Sequence, residues 1–131
     1  MQRKVQVISS AELPIPGGHY SHATALGQLV FISGQLPIGV DGHGSNMSFV
    51  DQTRQAVGNL LSVLRAAGGT AGDILKVTVY LVGIENWEEF NRIYAELMGQ
   101  AKPARSVVPV PALHFGYLIE IDAVARRPGS T

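Results

Sequence analysis

The sequence predicts a single α+β domain in which a mixed β-sheet carries two helices on one face. Two segments space their apolar residues as amphipathic helices do, and six shorter segments alternate or cluster β-branched residues as strands do. Only the strand–helix–strand steps require parallel crossovers, so the order β-β-β-α-β-α-β-β fits a mixed sheet most economically. The 131 residues correspond to one domain of ordinary size.

Two stretches are predicted to be helices that cover the sheet. The first runs from Ser48 to Ala67, where Ser48 and Asp51 form a capping-box signal and Gly68-Gly69 supplies the stop. The second runs from Trp87 to Met98 and has an aromatic stripe. The stripes comprise Val50, Val57, Leu60, Leu61 and Leu64 in the first helix, and Trp87, Phe90, Tyr94 and Leu97 in the second.

The remaining apolar segments are predicted to be strands. They are Lys4–Val7, His22–Leu26, Leu29–Ser33, Leu75–Val82, Ser106–Val110 and Tyr117–Ala125. Asp41-Gly42 is a hairpin-turn signal that predicts a β-ribbon on either side of it. If both helices cover one face of the sheet, the other face carries a mixed set of polar and apolar residues. This face is interpreted either as a subunit interface or as a surface in contact with solvent, and both interpretations remain open. This set is Lys76, Thr78, Tyr80 and Val82.

Composition excludes several classes of function. Ten basic and ten acidic side chains give a formal net charge of zero, which argues against nucleic-acid and polybasic membrane binding. The absence of cysteine excludes disulfides, thiolate zinc sites and a cysteine nucleophile. The N-terminus lacks a signal-peptide pattern and no apolar run is long enough for a membrane span, so we expect a soluble cytoplasmic protein.

Arg105 stands at the head of a valine-rich strand, in the stretch PARSVVPVPAL. Burying an isolated charge costs roughly several kcal/mol, so the guanidinium requires a partner in the protein or in a ligand. If the last two strands are antiparallel neighbours, Arg105 lies close to Asp122 and Glu120 faces Val107, all on one face. Two interpretations remain open: a cross-strand salt bridge, or a site where Arg105 binds a carboxylate and Glu120 handles protons or water.

Other polar residues have a structural interpretation beside the functional one. Asn91 interrupts the aromatic stripe of the second helix, where an amide usually bonds to a neighbouring group and less often faces a ligand. Ser33 lacks the elbow motif of a nucleophile, and Gly34 predicts a close approach to the backbone. His19 and His22 are expected to be solvated loop residues rather than metal ligands.

Seven motifs, in order and in register, resemble the RidA/YjgF family. They are FISGQLP, then DG, QTRQAVGNLLSVLRAAG, KVTVYL, FNRIY, PARS and IEIDAVA. The similarity extends from about Leu29 to Ala125, nearly the whole chain. The resemblance implies a chorismate mutase-like α+β fold, a homotrimer with clefts between subunits, and cofactor-free, metal-free hydrolysis of reactive enamines and imines. The 2-aminoacrylate-type 2-imino acids would give 2-keto acids and ammonia.

The resemblance also implies roles for individual residues. Arg105 would bind the substrate carboxylate and Glu120 would assist the attacking water. The remaining substrate-binding positions are Tyr20, Ser33, Gly34, Asn91 and Val107. Val107 stands where many members have a cysteine, and its contact is expected to be largely through the main chain. His114 replaces a proline that is common before the last strand, so His114 and Phe115 are expected to reshape the cleft rim.

Two rival functions remain open alongside the broad imine deaminase. The first keeps the fold but changes the substrate to a specific pathway intermediate such as 2-aminomuconate or 3-aminoacrylate. The second is a non-catalytic protein that binds small carboxylates or acts as a holdase. Nuclease roles are also attached to the family, but the neutral charge and the lack of a basic stripe count against them here.

Overall fold

The computed structural model describes residues 4–42 and 47–128, which form a six-stranded sheet and two long helices. The strands are β1 (Gln6–Ile8), β2 (Ala23–Leu26), β3 (Leu29–Gln35), β4 (Ile74–Val82), β5 (Ala104–Val110) and β6 (Ile119–Arg126). The helices are α1 (Phe49–Ala66) and α2 (Trp87–Met98), and three short 3₁₀ turns occupy Ala71–Asp73, Ile84–Asn86 and His114–Gly116. The element order agrees with the prediction from the sequence.

The sheet is mixed, as predicted, with the strand order β1-β2-β3-β6-β4-β5. Only β4 and β5 pair in parallel; every other neighbouring pair is antiparallel. The parallel pair follows from α2, because a strand–helix–strand crossover returns the chain beside the strand that it left. The core lies between one face of this sheet and the apolar faces of α1 and α2.

The predicted pairing of the last two strands is wrong. β5 and β6 are not neighbours, because β4 lies between them and pairs with both. Arg105 is in register with Val77, a fully buried core residue, so its side chain starts from the helix-covered face. Glu120 is in register with Tyr80 on the opposite face. Arg105 and Glu120 therefore do not share a face, nor does Arg105 approach Asp122.

The β-ribbon predicted on either side of Asp41-Gly42 is not formed by the described residues that precede this turn. Gly39 and Gly42 make a single antiparallel bridge, and Gly42 adopts a positive φ of 93°. The turn chemistry was recognised correctly, but no flanking alternation of apolar residues supports a longer ladder. Residues 43–46 lie outside the described residues.

The first helix is fixed at its start and along its apolar face. Ser48 accepts a hydrogen bond from the backbone N–H of Asp51 at 3.1 Å, which satisfies one of the free donors of the first turn. Val57, Leu60 and Leu64 have no exposed surface. Burying a side chain of this size stabilises the fold by about 1.5–3 kcal/mol, so this stripe holds α1 on the sheet.

The face of the sheet that turns away from the helices carries exposed apolar side chains. Phe31 is 47% exposed and Val108 is 38% exposed, while Tyr80 and Thr78 between them are half-buried. A row of partly exposed apolar residues across the centre of a sheet is unusual for a surface that remains in water. None of the helices in the described part of the chain is long and apolar enough to cross a membrane.

Asn59 ties helix α1 to the loop that follows β3. Its amide nitrogen donates to the carbonyls of Leu36 at 3.0 Å and Ile38 at 2.9 Å, and its oxygen accepts from Gln55 at 2.8 Å. The side chain is 3% exposed, so these bonds are formed away from water. A polar residue inside the apolar stripe of a helix was the sequence signal for this contact.

We expect Asn59→Ala to lower the free energy of unfolding by about 1–3 kcal/mol, because the part-buried carbonyls of Leu36 and Ile38 each lose the hydrogen bond from Asn59. Gln55→Ala is the matched control, since it removes only the bond to the Asn59 oxygen and should cost about 1 kcal/mol or less. Urea unfolding at equal protein concentration measures both. Equal costs for the two variants would contradict the role assigned to Asn59.

Candidate active site

The guanidinium of Arg105 is held by aromatic rings and one amide. Its central carbon lies 5.0 Å from the ring centroid of Tyr94, 5.5 Å from that of Phe90 and 5.9 Å from that of Trp87. Its Nη1 donates to the Oδ1 of Asn91 at 2.9 Å. All four partners belong to α2, whose i, i+3, i+4 and i+7 positions share one face.

None of these contacts neutralises Arg105. A ring face attracts a cation through its quadrupole, worth about 0.5–2 kcal/mol, but it leaves the charge and most of the N–H donors available. Within residues 4–42 and 47–128, no ion pair includes Arg105. The salt-bridge interpretation is therefore not supported, and Asn91 acts here as a neutral support for the arginine.

Tyr94 packs closely against Arg105 and is itself unusual. Its hydroxyl is buried and has no hydrogen-bond partner among the residues that the structure describes. Burial raises the pKa of Tyr94 above its ordinary value, and the positive charge of Arg105 partly offsets this. The phenol therefore stays neutral next to the guanidinium and does not act as its counter-ion.

A separate cleft of about 720 Å³ contains Glu120. The carboxylate rests on Gly34: a Cβ built there would lie 2.7 Å from the Glu120 Oε2. The register of β3 against β6 shifts between Ile32 and Gln35, at the same place. The close approach predicted at Gly34 is thus made by a side chain of the neighbouring strand, and any larger residue there would displace the carboxylate.

The environment of Glu120 favours its protonated form. Burial raises the pKa of Glu120 above the ordinary value of 4.5; His114 lowers it by a smaller amount, and Asp122 raises it. Burial also raises the pKa of Asp122. The hydrogen bond that Tyr80 donates to Asp122 at 3.2 Å and the charge of Lys76 lower this pKa by smaller amounts. A carboxylate with a raised pKa is better suited to accept and return a proton.

The cleft wall is built on hydrogen bonds from β2 and β3. The Ser33 hydroxyl donates to the carbonyl of Ser21 at 2.6 Å, so it is a structural donor in this chain. His22 accepts from the Ser10 N–H at 3.0 Å, and its Nε2 bonds to the Pro14 carbonyl at 2.9 Å. The expectation of a solvated loop position is wrong for His22, which is 6% exposed because it anchors the segment before β2.

The other predicted site residues are divided between these two places. Tyr20, Ser33 and Gly34 line the cleft with Glu120, and Tyr20 is 54% exposed there. Val107 lies on β5 two residues after Arg105, on the same face of the sheet. Among the described residues, no cluster of histidine, aspartate and glutamate could hold a metal ion.

Arg105 and Glu120 are far apart within one subunit. They lie on opposite faces, two strands apart, which is about 10 Å across the sheet. Along the strands, Arg105 is level with Val77 and Glu120 with Tyr80, a further offset of about 10 Å. No small molecule can contact both side chains of the same chain. The structure thus presents an arginine half and a glutamate half.

Sequence reasoning missed contacts that surround these two residues. Trp87, Phe90 and Tyr94 were recognised as a helical stripe but not as the support of Arg105. Asp122 was placed on one face with Glu120, but its partner Tyr80 was not connected with either. The spacing of three and four residues in the aromatic stripe was the available signal, but the pairing of β5 was needed to use it.

We expect Glu120→Gln to be more thermostable than the wild type at pH 7. The pKa of Glu120 is raised above 4.5 in the folded chain, so the folded chain holds this proton to a higher pH than the unfolded chain does. As pH rises from 4.5 through the raised pKa, the free energy of unfolding of the wild type therefore falls. The uncharged amide avoids this loss. The difference in Tm should vanish below pH 4.5, where Glu120 is protonated in both states. A wild type that gains stability from Glu120 as pH rises would contradict the assignment.

Comparisons with known proteins agree with this fold over most of the chain. A sequence model of the family described as Endoribonuclease L-PSP matches residues 11–127. A RutC family protein of Pyrococcus horikoshii is 42% identical over 123 residues, which cover 93% of this chain and 98% of that protein. The 2-iminobutanoate/2-iminopropanoate deaminase of Capra hircus is 33% identical over 123 residues, 92% of this chain and 88% of its own.

Solved structures show the same architecture. The yjgF gene product of E. coli superposes with a TM-score of 0.87 at 30% identity, over 93% of this chain and 98% of that one. E. coli TdcF with bound serine gives a TM-score of 0.88 at 30% identity, over the same shares of the two chains. The chain therefore belongs to the Endoribonuclease L-PSP family, the family of the YjgF and RidA proteins.

Proposed function

We propose that this protein hydrolyses small 2-imino acids, of the 2-aminoacrylate-derived type, to 2-keto acids and ammonia without a cofactor. The observation that carries the proposal is the un-neutralised guanidinium of Arg105, held in place by neutral groups. Two relatives, of goat and of Arabidopsis, are named as deaminases of this kind at 33% and 35% identity. The proposed chemistry needs only the groups described above.

Arg105 binds the carboxylate of the substrate in this proposal. The guanidinium presents two parallel N–H groups that match a carboxylate, which a lysine ammonium does not. Asn91 occupies one N–H, and the aromatic rings of α2 fix the plane of the group without accepting its remaining hydrogen bonds. The substrate then supplies the counter-ion that the fold leaves out.

Glu120 handles the water and the protons. Its carboxylate takes a proton from water as the oxygen attacks C2, and the electron pair of the C=N bond moves to the nitrogen. The nitrogen takes the proton held by Glu120, which gives a carbinolamine with a hydroxyl and an amino group on C2. Glu120 then accepts the hydroxyl proton and passes it to the amino nitrogen, and the C2–N bond breaks with its pair going to nitrogen. The 2-keto acid and ammonia leave, and Glu120 is a carboxylate again. The raised pKa of Glu120 suits both transfers, and help of this kind is typically worth about 10²–10⁴-fold.

The complete site lies between two subunits, as the family resemblance implies. Arg105 and Glu120 cannot meet in one chain, but a second copy can bring its glutamate half to the arginine half. The face that carries Phe31, Tyr80 and Val108 is the surface available for such packing. We propose the homotrimer of the family, in which each subunit contributes both halves to different clefts.

We expect Arg105→Ala to lower 2-imino acid hydrolysis by about 10²-fold, because two charge-assisted bonds of about 1.5 kcal/mol each are lost. The assay follows 2-keto acid formation from threonine in the presence of threonine dehydratase. Arg92→Ala is the matched control: Arg92 follows Asn91 on α2, but it is exposed and pairs with Glu89 at 3.9 Å. Its activity should equal that of the wild type.

Three outcomes would contradict the proposal. No acceleration over dehydratase alone would exclude the deaminase activity. If the wild type instead binds 2-ketobutyrate in the cleft without turning over imines, the protein is a carboxylate-binding protein. Equal acceleration by Arg105→Ala would remove the arginine from the mechanism.

Mixing two impaired variants tests whether the site is shared. We expect Arg105→Ala and Glu120→Gln each to lose about 10²-fold or more in activity. In a randomly reassembled 1:1 mixture of the two, one interface in four joins an intact Arg105 to an intact Glu120. We expect about a quarter of the wild-type activity to return after subunit exchange. The same mixture without exchange is the control. Failure to recover activity after proven exchange would place both residues in one subunit's site, against the geometry described here.

A further inference from the structure

Phe115 has a backbone conformation that only a few non-glycine residues adopt. Its φ is 62° and its ψ is 16°, the left-handed region, and it is alone among the described non-glycine residues in having a positive φ. A large aromatic residue in this region costs about 1–2 kcal/mol relative to an ordinary conformation. Gly116, which follows with a φ of 75°, is the residue type that tolerates it. Strain of this kind persists where function requires it.

The strained backbone directs an aromatic ring into the cleft rim. The Phe115 side chain is 66% exposed, yet it lies 6.0 Å from the ring of His114 and 6.3 Å, edge-on, from the ring of Tyr117. Phe115 and His114 line the same cleft as Glu120. The ring therefore lines the cleft that also contains Glu120 and is not withdrawn into the core.

The cleft is lined by polar and by apolar side chains. The polar residues are Glu120, Ser33, Tyr20, His22, Gln35, Asn59 and His114. The apolar residues, which we call the apolar wall, are Leu13, Pro14, Ile15, Leu36, Ile38 and Phe115. Ile15 is 90% exposed in the single chain, so a substrate or the neighbouring subunit can cover this part of the wall. The volume of about 720 Å³ is much larger than an imine with a methyl or ethyl side chain needs.

We propose that Phe115 is a specificity-determining residue that selects 2-imino acids with bulky apolar side chains. The inference rests on the proposed function, because it assumes that C2 of the substrate reacts at Glu120. With the reacting carbon there, the substituent on C2 extends into the cleft, where the ring of Phe115 and the aliphatic wall cover it. The small alanine-derived imine remains a substrate but leaves the wall in contact with water. Imines of leucine or phenylalanine type cover the wall and react with a higher kcat/KM.

The test compares kcat/KM for imines generated from leucine, phenylalanine and alanine by an L-amino acid oxidase. Phe115→Asn removes the ring with a residue that tolerates the left-handed region, and Phe115→Tyr keeps the ring as the matched control. We expect the wild type and Phe115→Tyr to prefer the leucine- and phenylalanine-derived imines. Phe115→Asn should lower that preference by about tenfold, with kcat/KM for the alanine-derived imine within about twofold of the wild type.

Stability and assembly separate a specificity role from a structural one. Relief of strain should leave the Tm of Phe115→Asn equal to or a few degrees above that of the wild type, at an unchanged molar mass by light scattering. Equal losses on all three imines, a lower Tm or weaker assembly would overturn the proposal while leaving the deaminase function intact. Wild-type protein that hydrolyses none of the three imines would overturn both.

Discussion

The positive charge of Arg105 is the constraint on which the rest of the account depends. A guanidinium between a helix and a sheet edge requires compensation, and this fold supplies three aromatic faces and one amide instead of a carboxylate. Neutral supports hold the group in position without cancelling its charge. Among the described residues no ion pair cancels the charge of Arg105, and the proposed binding of a carboxylate from solution requires this.

The topology of the sheet determines where the second half of the chemistry can be. The crossover through α2 places β5 beside β4 and so puts Arg105 on the helix-covered side of the sheet edge. β6, inserted between β3 and β4, directs Glu120 to the other face, where the bulge at Gly34 makes room for its carboxylate. One chain thus carries Arg105 and Glu120 in two separate places, and the proposed mechanism requires assembly to bring them together. The exposed apolar residues Phe31 and Val108 lie on the face that carries Glu120, which the proposed assembly would cover.

Much of this fold could be predicted from the sequence, because periodicity reports local structure directly. The stripe from Val57 to Leu64 and the alternation along Leu75–Val82 identified α1 and β4. The strand order could not be obtained in the same way. The last two strands follow each other in sequence, which suggested a hairpin. The actual partner of β5 is β4, because the connection between them through α2 returns the chain parallel to β4.

The candidate site was predictable in its residue types and not in its contacts. Arg105 and Glu120 were identifiable as charges within apolar strands. The burial of His22 depends on a segment twelve residues away, and a lone histidine in a glycine-rich loop gives no sign of it. The left-handed conformation of Phe115 was equally hidden, because phenylalanine is among the residues least expected there.

A crystal structure with bound 2-ketobutyrate, the product acid, tests the central claim most directly. The account predicts that its carboxylate forms paired hydrogen bonds to Arg105 of one subunit, with Asn91 retained as the neutral support and C2 facing Glu120 of the neighbouring subunit. A product bound at Glu120 with Arg105 unused, or an Arg105 that pairs with an acidic side chain of the neighbouring subunit, would contradict it.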